Sequence, residues 1–282
     1  MPLPAQAWAA VVPVKGGPLA KSRLRLPRAT RADLADAFAR DTVAAMAGAV
    51  EGMPVLVVTG DPDVMGWVAL AGHEVVLDAG AGLDAAVAAG VRAAGARGAD
   101  RVAVVLGDHP ALRPLDVRTA LHAVARHPRA VVADADDLGT ALLTLPATGE
   151  VHTAFGPGSA AAHARLGYTR VALELPGLRV DVDDATSLAA AFRMGLGRHS
   201  AAALARASLP GVQATIHSIG EDGSGSALLD DGLEVVVPPG AAVSSGLRHL
   251  RVGQRVSVEL DDSGRVATRV WVVGIGPGET IR

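Results

Sequence analysis

The only two lysines in the chain, Lys15 and Lys21, fall in one short stretch, although the sequence holds 26 basic residues and uses arginine everywhere else. That stretch reads Pro13-Val14-Lys15-Gly16-Gly17-Pro18-Leu19-Ala20-Lys21-Ser22-Arg23-Leu24. An ammonium group is a compact point charge, and glycines let the backbone approach an anion closely. The pattern therefore suits phosphate binding. The GxxxxGK(S/T) spacing is absent, so this is not a Walker A loop. A solvated basic loop is the plainer alternative.

Carboxylates form the second group. In Leu106-Gly107-Asp108-His109-Pro110 an aspartate follows an apolar run. It could ligate a hard cation, because Mg2+ is usually held by one or two carboxylates plus substrate phosphates. It could equally cap a helical turn begun by Pro110. In Arg179-Val180-Asp181-Val182-Asp183-Asp184, extended backbone would turn Asp181 and Asp183 to one face. Two carboxylates so placed repel each other unless a cation or an arginine lies between them. Asp184 suits the cap of a helix starting near Ala185.

Two glycine turns complete the set. Phe155-Gly156-Pro157-Gly158-Ser159 opens a helix and would offer free backbone N–H groups to an anion, with a plain turn as the alternative. Gly80-Ala81-Gly82-Leu83-Asp84 reads more simply as a connector. No Ser/His/Asp arrangement stands out. The nine histidines show no HExxH or other ligand spacing and are expected to be structural or superficial.

The elements that must position these residues are legible from apolar runs. Strands are expected at 8–14, 55–58, 74–77, 102–106, 130–133, 140–145 and 171–175. The run at 55–58 is followed by Thr59-Gly60-Asp61-Pro62. Purely apolar runs such as 102–106 are buried on both faces, as in parallel sheets. Helices are expected at 30–49, with Thr30 as N-cap, and at 83–97, 114–126, 158–166 and 185–196. Strands alternating with helices give an α/β layered domain over residues 1–208. An alanine-rich stretch at 199–207 ends at Ser208-Leu209-Pro210-Gly211, the expected linker. After it, five short strands at 212–219, 225–230, 233–238, 253–260 and 265–273 suggest a small closed barrel of the OB type, residues 211–282.

Composition narrows the function. Half the residues are hydrophobic and 2% are aromatic, so Ala, Val and Leu must fill the core. With no cysteine, disulfides, thiolate metal sites and cysteine nucleophiles are excluded. No apolar run is long enough to span a membrane, and residues 1–10 do not read as a signal peptide. A cytoplasmic protein is the expectation. Residues 1–210 carry 20 basic and 20 acidic side chains, and residues 211–282 carry 6 and 9, so neither part offers a polyanion-binding surface.

With these segments in view, the chain resembles the guanylyltransferases of deazaflavin coenzyme F-420 biosynthesis, which act on 2-phospho-L-lactate or phosphoenolpyruvate. The matching elements are VPVKGGPLAKSRL at 12–24, GAGLDAAV at 80–87, LGDHPALRP at 106–114, GTALL at 139–143, FGPGSAAAH at 155–163 and LRVDVDDATSLAAA at 178–191. They run in the family's order and cover about residues 8–196. The resemblance implies a nucleotidyltransferase-like, layered, mostly parallel sheet.

It also implies roles. Lys15, Lys21 and Arg23 would cradle the GTP triphosphate, with Gly82 beside the guanine. Asp108, Asp181 and Asp183 would hold Mg2+. Lys15, Arg23 and Asp108 would be catalytic. Thr140, Gly156 and Ser159 would bind the carboxylate and phosphate of a small phosphorylated acid. Asp84 stands where family members often carry Asn, which bears on base selectivity. His109 stands where they usually carry an apolar residue, which bears on the acceptor pocket. The C-terminal part resembles a cold-shock-like barrel, but its only aromatic residue is Trp271 and its charge is acidic. Single-strand binding needs stacking aromatics on a basic groove, so nucleic acid is not the expected partner. A homodimer is compatible with the sequence. The competing readings are a same-fold enzyme with a sugar-phosphate or molybdopterin acceptor, and a nucleotide-sensing regulator whose barrel binds RNA.

Overall fold

The computed structural model describes residues 7–16, 21–24, 28–207, 212–230, 232–241, 249–261 and 263–272. Residues 17–20 of the lysine-bearing loop, the expected linker at 208–211, and residue 273 of the last expected strand lie outside them.

The chain divides into two compact units, Met1–Ala203 and Leu204–Arg282. In order, the described elements before the second unit's strands are β1 (Trp8–Pro13), α1 (Arg28–Ala47), β2 (Val55–Thr59), α2 (Pro62–Leu70), β3 (Glu74–Leu77), α3 (Leu83–Ala96), β4 (Arg101–Val104) and α4 (Pro114–Val124). They continue with β5 (Ala130–Ala133), β6 (Thr140–Pro146), α5 (Ser159–Arg165), β7 (Thr169–Arg170), α6 (Pro176–Arg179), α7 (Ala185–Met194) and α8 (Arg198–Ala207). One sheet runs β3-β2-β1-β4-β6-β5-β7. Only β6 opposes its neighbours; the other described pairings in this sheet are parallel.

The apolar runs form strands because both faces of the sheet are covered. Trp8, Ala10 and Val12 face a core shared with α1, α2 and α4, while Ala9 and Val11 face a second core built on α3. At Gly90 the helix α3 lies so close to the sheet that an added Cβ would collide with Val11 and Val58. The result is a three-layer nucleotidyltransferase-like α/β fold, as expected.

Three expectations need correction. Helix α1 starts at Arg28, so Thr30 lies inside its first turn and is not the cap. The strand expected at 171–175 does not form. Thr169 and Arg170 pair with β5 and the Val171 N–H donates to the Val131 carbonyl at 2.9 Å, but among the described residues the ladder stops there, and the alternating burial of Leu173 and Leu175 comes from packing on the core. Helix α2 was not expected. Asp61 caps it by accepting from the Asp63 and Val64 N–H groups, and Pro62 occupies its first turn.

Beyond the end of α8, the described elements of the second unit are strands: β8 (Val212–Ile219), β9 (Gly225–Leu229), β10 (Glu234–Val237), β11 (Arg255–Leu260) and β12 (Ala267–Val272). The antiparallel order is β10-β9-β8-β11-β12. The Val236 N–H donates to the Arg265 carbonyl at 2.9 Å, a parallel bridge between β10 and the residues just ahead of β12. Ala214, Ile216, Val235, Val237, Val256, Val258 and Val270 fill its core.

Candidate active site

In a parallel sheet the loops at the carboxyl ends of the strands gather the functional groups. Strand β1 leads into Lys15 and Gly16 there, and β4 leads into Gly107 and Asp108. Because β6 runs the other way, its first residue, Thr140, emerges at the same edge. Residues 181–183 join through a backbone bond, the Val182 N–H donating to the Asp108 carbonyl at 2.9 Å. Val182 is fully buried, and Asp181 and Asp183 point the other way, toward Asp108.

These three aspartates are brought together. One carboxylate oxygen from each lies within 4.8 Å of the others. The Lys21 ammonium bridges two of them, donating to Asp108 Oδ2 at 2.8 Å and Asp183 Oδ1 at 2.9 Å. Lys21 holds this position with φ of 54°, in the left-handed region a non-glycine residue rarely adopts. Arg23, largely exposed, approaches Asp183 Oδ2 at 3.8 Å. Lys15 is exposed and makes no ion pair among the described residues.

The charges shift one another. Burial would raise the Asp108 carboxyl, but the Lys21 ammonium and His109 hold it below the usual range. Burial would lower Lys21, yet Asp108 and Asp183 keep it above its ordinary value. Asp181 has no lysine partner; burial and then the neighbouring Asp108 push its carboxyl up, with Asp183 adding and His109 opposing. Asp108 Oδ1 is buried and has no hydrogen-bond partner among the described residues. A set of hard oxygen donors with one orphaned buried oxygen fits a divalent cation. The helix-cap alternative for Asp108 fails, because among the described residues Oδ2 accepts from Lys21 and Oδ1 accepts from no backbone N–H of the turn begun by Pro110. Asp184 does cap α7, accepting from the Thr186 and Ser187 N–H groups.

Thr140 and Ser159 also meet. Their hydroxyls lie 2.9 Å apart, and Thr140 Oγ1 is 3.0 Å from His163 Nδ1. All three are buried. Gly156 and Gly158 adopt φ of 137° and 72°, which lets the loop turn sharply into α5. Gly82 precedes α3 with φ of 98° and is exposed.

Two residues noted in the sequence have defined contacts in the structure. Asp84 Oδ1 accepts from Thr153 Oγ1 at 2.6 Å and from the Phe155 N–H at 3.0 Å, so it braces the 153–155 segment. His109 is buried with its Nε2 at 3.6 Å from Asp108 Oδ1, and its backbone N–H donates to Thr42 Oγ1. It therefore abuts the carboxylate cluster. His163, expected only among the structural or superficial histidines, belongs to this cluster. The signal was present: it lies four residues after Ser159 on one helix, on the same face.

A MobA-like NTP transferase domain matches residues 33–149. Phosphoenolpyruvate guanylyltransferase 2 of Rhodococcus jostii (strain RHA1) is 41% identical over 194 residues, 68% of this chain and 88% of that protein. Phosphoenolpyruvate guanylyltransferase of Salinispora arenicola (strain CNS-205) is 44% identical over 201 residues, 70% of this chain and 92% of its own length. A solved structure from Desulfovibrio desulfuricans G20, described as a nucleotide-diphospho-sugar transferase, superposes with a TM-score of 0.54 at 18% identity. It covers 71% of this chain and 95% of its own, a likeness of fold alone. Among the described residues no helix is long and apolar enough to cross a membrane.

Proposed function

The chain belongs to the phosphoenolpyruvate guanylyltransferase family, and from that premise we propose that it transfers GMP from GTP to phosphoenolpyruvate. An oxygen of the acceptor phosphate attacks the α-phosphorus of GTP. The bond from that phosphorus to the α,β-bridging oxygen breaks, and pyrophosphate leaves with the electron pair. A phosphate is already ionised at neutral pH, so no general base is needed. Positioning and charge neutralisation carry the reaction.

The observation that carries this reading is the meeting of Asp108, Asp181 and Asp183 with Lys21 at the carboxyl edge of the sheet. Those aspartates would hold Mg2+, which when bound neutralises phosphate charge. Lys15, Lys21 and Arg23 would bind the triphosphate, Lys15 and Arg23 stabilising charge on the departing pyrophosphate. Gly82 would lie by the guanine. Thr140, Gly156 and Ser159 would receive the acceptor. The proposal places this chemistry in a domain of residues 1–208, in the cytoplasm, within deazaflavin coenzyme biosynthesis. The barrel of residues 211–282, read as cold-shock-like, would serve packing or assembly.

Mass spectrometry of products tests it, with GTP and Mg2+ offered to phosphoenolpyruvate, 2-phospho-L-lactate, 3-phosphoglycerate, a sugar phosphate and a molybdopterin in turn. The expected result is a GMP adduct of phosphoenolpyruvate with release of pyrophosphate. An adduct formed only with the sugar phosphate or the molybdopterin would overturn the proposal.

A further inference from the structure

The side chain of His163 is fully buried behind Thr140 and Ser159, and its two ring nitrogens face groups of opposite kind. Nε2 lies 3.0 Å from the Ala154 backbone nitrogen. That N–H can only donate, so Nε2 must present a lone pair. A neutral ring then carries its proton on Nδ1. Nδ1 lies 3.0 Å from Thr140 Oγ1, which therefore accepts. Thr140 Oγ1 and Ser159 Oγ lie 2.9 Å apart and either hydroxyl can donate; with the His163 proton already on Thr140 Oγ1, the Thr140 proton is available to Ser159 Oγ. The Ser159 proton has no acceptor among the described residues.

We propose that His163 is a positioning residue that sets the direction of this chain, Nδ1–H to Thr140 to Ser159, so that Ser159 offers its hydroxyl proton to the anionic acceptor. The inference rests on the reading of Thr140, Gly156 and Ser159 as the acceptor site. A carboxylate or phosphate presents only hydrogen-bond acceptors, so a serine hydroxyl helps only when its proton faces the ligand. Rotated the other way, its lone pairs would face the anion's oxygens. A freely rotating hydroxyl must be ordered on binding; one already committed by its neighbours need not be. The tautomer is itself secured from outside. Asp84 Oδ1 holds Thr153 Oγ1 and the Phe155 N–H, on either side of Ala154, which keeps the Ala154 N–H aimed at the ring. Phe155 and Tyr168 pack edge-on against the imidazole, with centroids at 4.9 and 5.4 Å, and prevent it from flipping.

Long-range proton–nitrogen NMR on the full-length protein reads the tautomer directly. A protonated Nδ1 with an unprotonated Nε2 is expected at His163, and a protonated Nε2 overturns the proposal. Kinetics with GTP, phosphoenolpyruvate and Mg2+ supply the functional half. His163→Asn keeps an amide N–H near Nδ1, whereas His163→Gln keeps polarity only near Nε2. The KM for phosphoenolpyruvate should rise about tenfold in His163→Gln, the worth of one oriented hydrogen bond, and stay within about threefold in His163→Asn. The KM for GTP should be unmoved in both. Equal acceptor KM values for the two variants overturn the proposal. Ser159→Ala separates this inference from its premise. If Ser159→Ala raises the acceptor KM and His163→Gln does not, the relay alone is wrong. If Ser159→Ala leaves that KM unchanged, the acceptor site is wrong and the relay falls with it. Should the His163 variants not fold, the NMR measurement on the unaltered protein decides.

Discussion

Around Asp108, Asp181 and Asp183 the candidate site is charged and held by ion pairs; around Thr140, Ser159 and His163 it is neutral and held by short hydrogen bonds. The first side reaches solvent through Asp183 and Arg23, and the second is buried. The contrast teaches how each side meets its ligand. A carboxylate cluster with one bridging lysine can accept a cation by exchanging partners. A buried hydroxyl chain cannot exchange partners without leaving polar groups unsatisfied, so its geometry must be set before the ligand arrives.

The largest break in this comparison should come from the charged side. Asp181→Asn removes a carboxylate that the structure leaves without a lysine partner. Turnover should fall about a thousandfold, the scale of losing one preorganised electrostatic group, while the KM for GTP moves far less. Steady-state kinetics check this, and equal losses in both parameters would contradict a role for Asp181 in holding metal. Lys21→Met comes next. It leaves Asp108 buried without its cation, at a cost of about 2 kcal/mol, less than for a fully enclosed pair because both partners keep some exposure. Calorimetry in a chelator should show the loss. Added Mg2+ should then raise the melting temperature more in the variant than in the parent, since the cation and Lys21 share carboxylates. A smaller rise in the variant would mean that they do not share them.

The two sides also differ in how far they could be read in advance. Asp181 and Asp183 were legible as a pair because an Asp-Val-Asp alternation in extended backbone turns both to one face; that Asp108, in a turn beyond β4, joins them was implied by the family resemblance and not by period. The sheet was legible for a related reason. Strands buried on both faces read as apolar runs, as in Val102–Val104 of β4, and the one charged residue there, Arg101, is buried only because its guanidinium donates to the Ala125 and His127 carbonyls. Helix α2 escaped because Asp61-Pro62 serves a turn as well as a cap. The stretch at 171–175 misled because alternating burial is a property of packing and needs no ladder. Spacing alone marks His163 as a neighbour of Ser159 on one helix face; its part depends further on which nitrogen meets the Ala154 N–H, a matter of loop geometry.

Salt sharpens the comparison at smaller amplitude. Arg23→Ala should raise the KM for GTP about threefold at low ionic strength and less at high salt, because an exposed charge is screened over a Debye length of about 10 Å. Thr140→Val removes a buried hydroxyl of the same shape. It should raise the KM for phosphoenolpyruvate about tenfold at any salt concentration, the cost of breaking one link in a buried chain. Salt dependence in the second variant and not in the first would reverse the assignment of the two sides.

The smallest effect is a pH dependence of stability on the neutral side. Burial holds His163 below its ordinary value of 6.5, against Asp84 and the Ser159 carbonyl, which both favour a proton. The folded ring thus resists protonation that the unfolded chain accepts. When the unfolded state binds more protons, stability falls as pH falls. The loss should begin near the unfolded value and level off once the folded ring is itself protonated. His73, also lowered by burial, acts in the same sense and remains in any His163 variant. The melting temperature should therefore drop by about a few degrees on acidification through the histidine range. His163→Asn should flatten that slope without abolishing it. An unchanged slope would mean that His163 takes up its proton equally in the folded and unfolded chain, and the hydroxyl side would then carry no linkage to pH through this ring.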